Sequence, residues 1–208
     1  MPETSDKQIF HEFYTEKRWN NWLQKVGESN FKLEESGDTP EKDSAIFVNM
    51  QDDVILACLK VIATYQRGEN SVEETLDILS SIEEIVLKKV DSISEDTDMM
   101  IESLQNSLLA TFVSFECYLN GDFDQESEIS DLIKGAVEAE QDEDFEAALG
   151  YVARIGALVL DGKELPGKEM EDMPYGIVAE WMDGIDSIEA AMVGTDSYKE
   201  DDGEYEVV

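Results

Sequence analysis

The chain has 208 residues and carries 50 Asp and Glu against 15 Lys and Arg, which gives a formal net charge of −35. A field of this sign repels nucleic acid and anionic lipid, because both are bound through lysines and arginines that neutralise phosphate. Apolar residues make up 42% of the chain, so the charge does not predict a disordered protein. No run approaches the roughly 20 apolar residues that span a bilayer. We therefore expect a cytoplasmic protein that binds neither nucleic acid nor membrane.

The histidine and cysteine contents exclude further classes of protein. His11 is the only histidine, which removes most zinc sites and most catalytic schemes that use histidine. Cys58 and Cys117 lie in apolar stretches without a CxxC motif, which predicts buried thiols in a reducing compartment. The chain also contains no GxSxG, HExxH or glycine-rich phosphate loop.

Apolar periodicity predicts seven helices in chain order. They run over about 15–27, 44–68, from 71 onward, 98–120, 128–140, 143–161 and 174–193. Ser71 and Glu74 have the spacing of a capping box, and Gly121 is expected to close the fourth helix. The second helix is apolar on nearly every face, which predicts a central, buried element.

These elements predict an all-α fold, a single domain over 15–194 with about seven antiparallel helices in a hairpin array or bundle. Residues 1–14 are expected to form a flexible lead-in, and the acidic residues 195–208 a disordered tail. The stretches 61–87 and 135–160 share a helix, a short polar turn and an acidic helix start. This pattern is typical of tetratricopeptide-type hairpins, although chance similarity between acidic helices explains it equally well.

Three blocks of sequence resemble a known family. They are FYTEKRWNNWL at 13–23, FVNMQDDVILACLKVIATY at 47–65 and YGIVAEWMDGIDSIEAA at 175–191. The family consists of acidic proteins from methanogens and haloarchaea and is known as a domain of unknown function. The resemblance covers roughly residues 10–193 and implies an archaeal cytosol. It implies no activity and no catalytic residues.

The leading functional hypothesis is a non-enzymatic adaptor or scaffold that binds a protein partner and needs no cofactor. Helical hairpins offer grooves to partners, and an exposed aromatic patch that includes Trp19, Trp22 or Trp181 would carry the contact. The helical spacing of these residues is equally typical of core packing. Homodimerisation through the first or last helix is compatible with this function.

An alternative is a Mg²⁺-dependent nucleotide hydrolase, with Asp52, Asp53, Glu180 and Asp183 as metal ligands. Magnesium prefers oxygen ligands, and two helices that face each other could supply these four carboxylates. The simpler interpretation of Asp52 and Asp53 is that they are solvated acids in the first turn of a helix. A third hypothesis is an acidic decoy for a nucleic-acid-binding protein.

Overall fold

The computed structural model describes residues 13–33 and 41–194, and within these ranges every regular element is a helix. The eight helices are α1 (Glu16–Ser29), α2 (Glu41–Gln66), α3 (Val72–Val86), α4 (Glu95–Asn120), α5 (Ile129–Gln141), α6 (Phe145–Leu160), α7 (Gly167–Glu171) and α8 (Ile177–Gly194). The all-α prediction is therefore confirmed. The predicted lead-in at 1–14 falls almost entirely outside the described residues, and the predicted tail at 195–208 does so completely.

Helices α4, α6 and α8 form the tightest part of the core, and small residues allow their close approach. Helix α4 packs against α2, α3, α6 and α8. A Cβ atom added to Gly156 of α6 would overlap the side chain of Ser114, and one added to Gly184 of α8 would lie 2.5 Å from the carbonyl oxygen of Ser107. Large side chains fill the space around these contacts. Those without accessible surface include Phe115, Leu108, Ile155, Leu158, Met182, Ile185 and Ile188.

Helix α2 joins α1 to the remaining helices, because it packs against α1, α3, α4 and α8. Most of its apolar residues are buried, as its composition predicts. Two large ones are exposed, Val48 by 57% and Leu56 by 41%. These residues lie eight positions apart on the same face of the helix, so α2 is buried on all sides except one stripe.

The ends of the helices follow local capping rules. Ser71 and Glu74 form the predicted capping box, with both reciprocal hydrogen bonds present. Gly68, Gly121 and Gly162 adopt the left-handed conformation that ends helices α2, α4 and α6. Helix α5 is different, because the left-handed position after it is taken by Glu143, with φ at 58°.

Several boundaries differ from the prediction. Helix α1 continues through Gly27 to Ser29, and α2 begins at Glu41 rather than near residue 44. The last helix begins at Ile177 rather than Pro174. The short helix α7 lies between the end of α6 at Leu160 and the start of α8 at Ile177, and the sequence did not predict it.

The two stretches with similar sequence patterns both form helical hairpins, α2–α3 and α5–α6. Each hairpin turns through a residue in the left-handed conformation, Gly68 in the first and Glu143 in the second. The backbone nitrogen of the next residue donates a hydrogen bond to the preceding helix, from Glu69 to the carbonyl oxygen of Thr64 at 3.0 Å and from Asp144 to that of Ala139 at 2.9 Å. Both cysteines are buried free thiols. None of the described helices combines the length and apolarity needed to cross a membrane.

Candidate functional site

Asp53 connects α2 to α1 through its carboxylate. Nε and Nη2 of Arg18 donate hydrogen bonds to it at 2.9 and 2.5 Å, and Nε1 of Trp22 donates a third at 2.7 Å. Three donors occupy most of the acceptor capacity of one carboxylate. The adjacent positive charge of Arg18 also opposes a metal cation at this position. Asp53 therefore acts as a structural anchor for α1.

Aromatic and basic side chains extend this anchor. The guanidinium carbon of Arg18 lies 5.2 Å from the centre of the Tyr14 ring, and Nζ of Lys25 lies 4.3 Å from that of Trp22. Both distances are within the range of cation–π attraction. Burial, followed by the charge of Asp53, raises the pKa of the buried Tyr14 hydroxyl. This hydroxyl lies near Asp53 without the geometry of a hydrogen bond.

Of the other predicted metal ligands, Glu180 and Asp183 lie on α8 and Asp52 lies on α2. An oxygen of Glu180 accepts a hydrogen bond from Nδ2 of Asn106 at 3.0 Å, which ties α8 to α4. Partial burial and the charges of Asp186 and Glu180 raise the pKa of Asp183. Burial alone raises the pKa of Asp52. The charges that act on Asp183 thus come from its own helix.

Helices α2 and α8 do meet, but through an amide. Nε2 of Gln51 donates to Oγ of Ser187 at 2.9 Å. Within residues 13–33 and 41–194, no three Asp, Glu, His or Cys side chains are arranged to hold a metal ion. The structure therefore does not bring Asp52, Asp53, Glu180 and Asp183 together as one site.

Two of the three tryptophans are buried in the core. Trp19 is 3% exposed and Trp181 is 6% exposed, whereas Trp22 is half-buried and bonded to Asp53. In this conformation neither Trp19 nor Trp181 contributes to an exposed aromatic patch. Any role of the three in binding a partner stays a prediction.

Exposed aromatic side chains occur elsewhere. Tyr175, in the loop before α8, is 94% exposed, and Phe145, the first residue of α6, is 51% exposed. We call these two residues the aromatic surface. Phe145 is exposed because the first residue of α6 lies outside the packed part of the helix. Tyr175 follows Pro174 in a loop, where periodicity gives no signal.

Glu140 holds the loop beside Tyr175 in place. Its Oε1 accepts hydrogen bonds from the backbone nitrogens of Ile177 at 2.5 Å and Val178 at 3.3 Å. These are among the first amides of α8, which have no partner within their own helix. A Cβ atom added to Gly176 would lie 2.5 Å from the same oxygen. Glu140 therefore caps α8 from the end of α5, and links the segment that follows Tyr175 to a residue five positions before Phe145.

The segment that contains Glu140 and Phe145 is acidic. Six acids and no lysine or arginine occur between residues 138 and 146. These are Glu138, Glu140, Asp142, Glu143, Asp144 and Glu146. The aromatic surface thus combines two exposed rings with a concentrated negative charge.

Comparison with known proteins places the chain in a family. No curated protein and no solved structure matches it. One family, described as "Uncharacterized protein conserved in archaea (DUF2150)", matches residues 12–201. This range includes all eight helices and confirms the resemblance to an archaeal family of unknown function. The chain therefore belongs to the DUF2150 family of proteins conserved in archaea.

Proposed function

We propose that the protein is a non-enzymatic adaptor or scaffold of the archaeal cytoplasm, and that it binds a partner protein through the aromatic surface. The observation that carries this proposal is the 94% exposure of Tyr175 in a loop that Glu140 anchors. A tyrosine in such a position adds almost no buried area to the fold. Tyrosine is enriched among the residues that dominate binding energies, because its ring contributes a large contact area and loses little conformational entropy.

The charge around the aromatic surface supports a partner with a basic contact region. Six acids within nine residues attract lysine and arginine and disfavour acidic surfaces. Arginine also stacks well on a tyrosine ring. The rings would supply the desolvated centre of the contact, and the carboxylates its rim.

Photo-crosslinking from position 175 tests the proposal. Tyr175 is replaced by a photoreactive phenylalanine analogue in an archaeal host, and the covalent adducts are identified by mass spectrometry. The matched control carries the same analogue at Met99, which is 49% exposed on α4. We expect one defined adduct from position 175 and none from position 99.

Binding of the purified adduct partner then measures the contribution of the second ring. We expect Phe145→Ala to weaken the affinity about tenfold, the usual effect of removing an important aromatic contact. Equal adducts from both positions, or none from position 175, would refute the proposal. A partner whose affinity is unchanged by Phe145→Ala would show that the aromatic surface does not carry the binding.

A further inference from the structure

Helix α6 has an outer face that none of the other described helices covers. A shallow groove of about 430 Å³ runs along the first ten residues of the helix. Its lining consists of Asp144, Glu146, Ala147, Gly150, Tyr151 and Arg154. The opposite face of α6 is packed against α4, α5 and α8.

Gly150 lies in the middle of this face, and the fold does not explain it. A Cβ atom added there would meet nothing within 4 Å, whereas one added to Gly135, Gly156 or Gly184 would overlap a neighbouring element. Glycine in the interior of a helix is less stable than alanine. The other three glycines compensate for this loss by allowing close packing within the chain. At Gly150, none of the residues that the structure describes takes up the open space.

Two opposite charges flank Gly150 at equal distances along the helix. Glu146 precedes it by four residues and Arg154 follows it by four, so both lie on the same side of the helix. Neither forms an ion pair within the part of the chain that the structure describes. The guanidinium carbon of Arg154 lies 5.8 Å from the centre of the Tyr151 ring. Arg18 and Arg67, by contrast, are both paired with carboxylates.

We propose that this face binds the same face of a second copy of the chain, with the two α6 helices antiparallel and the two-fold axis at Gly150. Such symmetry places Glu146 of each copy opposite Arg154 of the other, which forms two equivalent ion pairs across one isologous contact. Gly150 and Ala147 let the two helices approach closely. A basic helix from another protein fits this face less well, because Arg154 would repel it.

The net charge of −35 on each copy opposes association, and salt screens that repulsion. At 0.15 M ionic strength the screening length is about 8 Å, shorter than the distance between most charges on two docked molecules. Salt also weakens the two ion pairs, but it weakens the repulsion between the two acidic copies more. Association is therefore expected to strengthen as the salt concentration rises. This inference does not rest on the proposed function, although Asp144 and Glu146 belong both to this face and to the acids beside Phe145. A dimer would also carry two aromatic surfaces and could bind two partner sites at once.

Sedimentation equilibrium of the full chain tests the pairing. At rising potassium chloride concentrations, we expect the mass to approach twice the monomer mass of 23.4 kDa. Glu146→Arg and Arg154→Glu should each weaken the dimer by about tenfold or more, since each breaks both symmetric pairs. The double variant exchanges the charges and should recover the affinity of the original chain. Arg67→Glu, which changes the net charge by the same amount as Arg154→Glu but at a remote turn, is the control for that variant.

A second variant does not depend on charge. Gly150→Leu fills the groove from a half-buried position where an added Cβ meets nothing, and we expect it to abolish the dimer while leaving the helical circular dichroism unchanged. A monomer at every salt concentration would overturn the proposal. A dimer that survives Gly150→Leu and both charge reversals would place the contact elsewhere and overturn it equally. Failure of the double variant to recover would exclude the antiparallel pairing.

Discussion

Replacing Gly184 with alanine tests the closest contact between two helices in the core. Gly184 is buried in α8. An added Cβ would lie 2.5 Å from the carbonyl oxygen of Ser107 and 2.6 Å from Oγ1 of Thr111, whereas ordinary contact begins at 3.4 Å. Helices α4 and α8 would have to separate locally by about 1 Å to relieve the overlap. The carbonyl oxygen belongs to the backbone of α4 and cannot move by a change of rotamer.

Two opposing effects determine the size of the change. Helix propensity alone favours alanine over glycine by about 1 kcal/mol. Overpacking in a dense core costs about 1–3 kcal/mol, and the upper end applies because a backbone atom is overlapped. We therefore expect Gly184→Ala to lower the free energy of unfolding by about 2 kcal/mol. This is a substantial part of the stability of a typical domain.

Urea unfolding followed by circular dichroism measures this change. The control is Gly150→Ala, where an added Cβ meets nothing and where we expect a gain of about 0.5–1 kcal/mol from helix propensity. Low salt and low protein concentration keep any association through α6 weak. The reasoning about the α4–α8 contact fails if Gly184→Ala is as stable as the original chain while the control behaves as expected.

Three further predictions concern polar and charged residues. Asp53→Asn should lower the free energy of unfolding by about 1 kcal/mol, because it weakens the charged hydrogen bonds to α1 at a partly exposed site. Asp131→Asn removes an exposed ion pair with Lys134 and should change the free energy of unfolding by less than about 0.5 kcal/mol. Equal effects of the two substitutions in urea unfolding would contradict the role of Asp53 as an anchor of α1. Glu143→Gly should increase the free energy of unfolding by about 1 kcal/mol and raise the melting temperature, since the left-handed conformation is unfavourable for glutamate. A lower melting temperature would show that the turn is not strained. The raised pKa of Asp183 favours its protonated form in the folded state, so its stabilising contribution is present below the ordinary value of 3.8 and is lost as pH rises through the raised pKa. As pH falls from 7, the free energy of unfolding should therefore rise less in Asp183→Asn than in Asp131→Asn, because only the latter keeps Asp183. Parallel pH profiles of the two variants would refute this assignment.

The fold was predictable wherever a local rule determines the structure. The capping box at Ser71 and the glycine after α4 depend only on nearby residues, and both are present in the structure. The start of α8 depends instead on Glu140, which is 37 positions away from Ile177 along the chain. A contact of this kind has no local pattern. Local reasoning therefore placed the helix start at Pro174, three residues too early.

The candidate surfaces were harder to predict for a related reason. Periodicity indicates which residues face inward, but it does not identify an exposed aromatic residue in a loop, such as Tyr175. The same reasoning grouped Asp53 with Asp52 as metal ligands, because the sequence does not show that Arg18 and Trp22 lie beside Asp53. In a chain with 50 acids, pairs of carboxylates at helical spacing are common by chance and carry little information.

The position of α8 in the chain has a consequence during synthesis. Helix α8 is the last of the described helices to leave the ribosome, and it supplies Met182, Ile185 and Ile188 to the core. Until it emerges, the faces of α4 and α6 that it covers remain open to solvent. A nascent chain that ends before residue 177 therefore exposes apolar surface of the kind that chaperones bind. Its folding should be completed only after translation of the final helix, and its excess negative charge would keep such incomplete chains apart in the meantime.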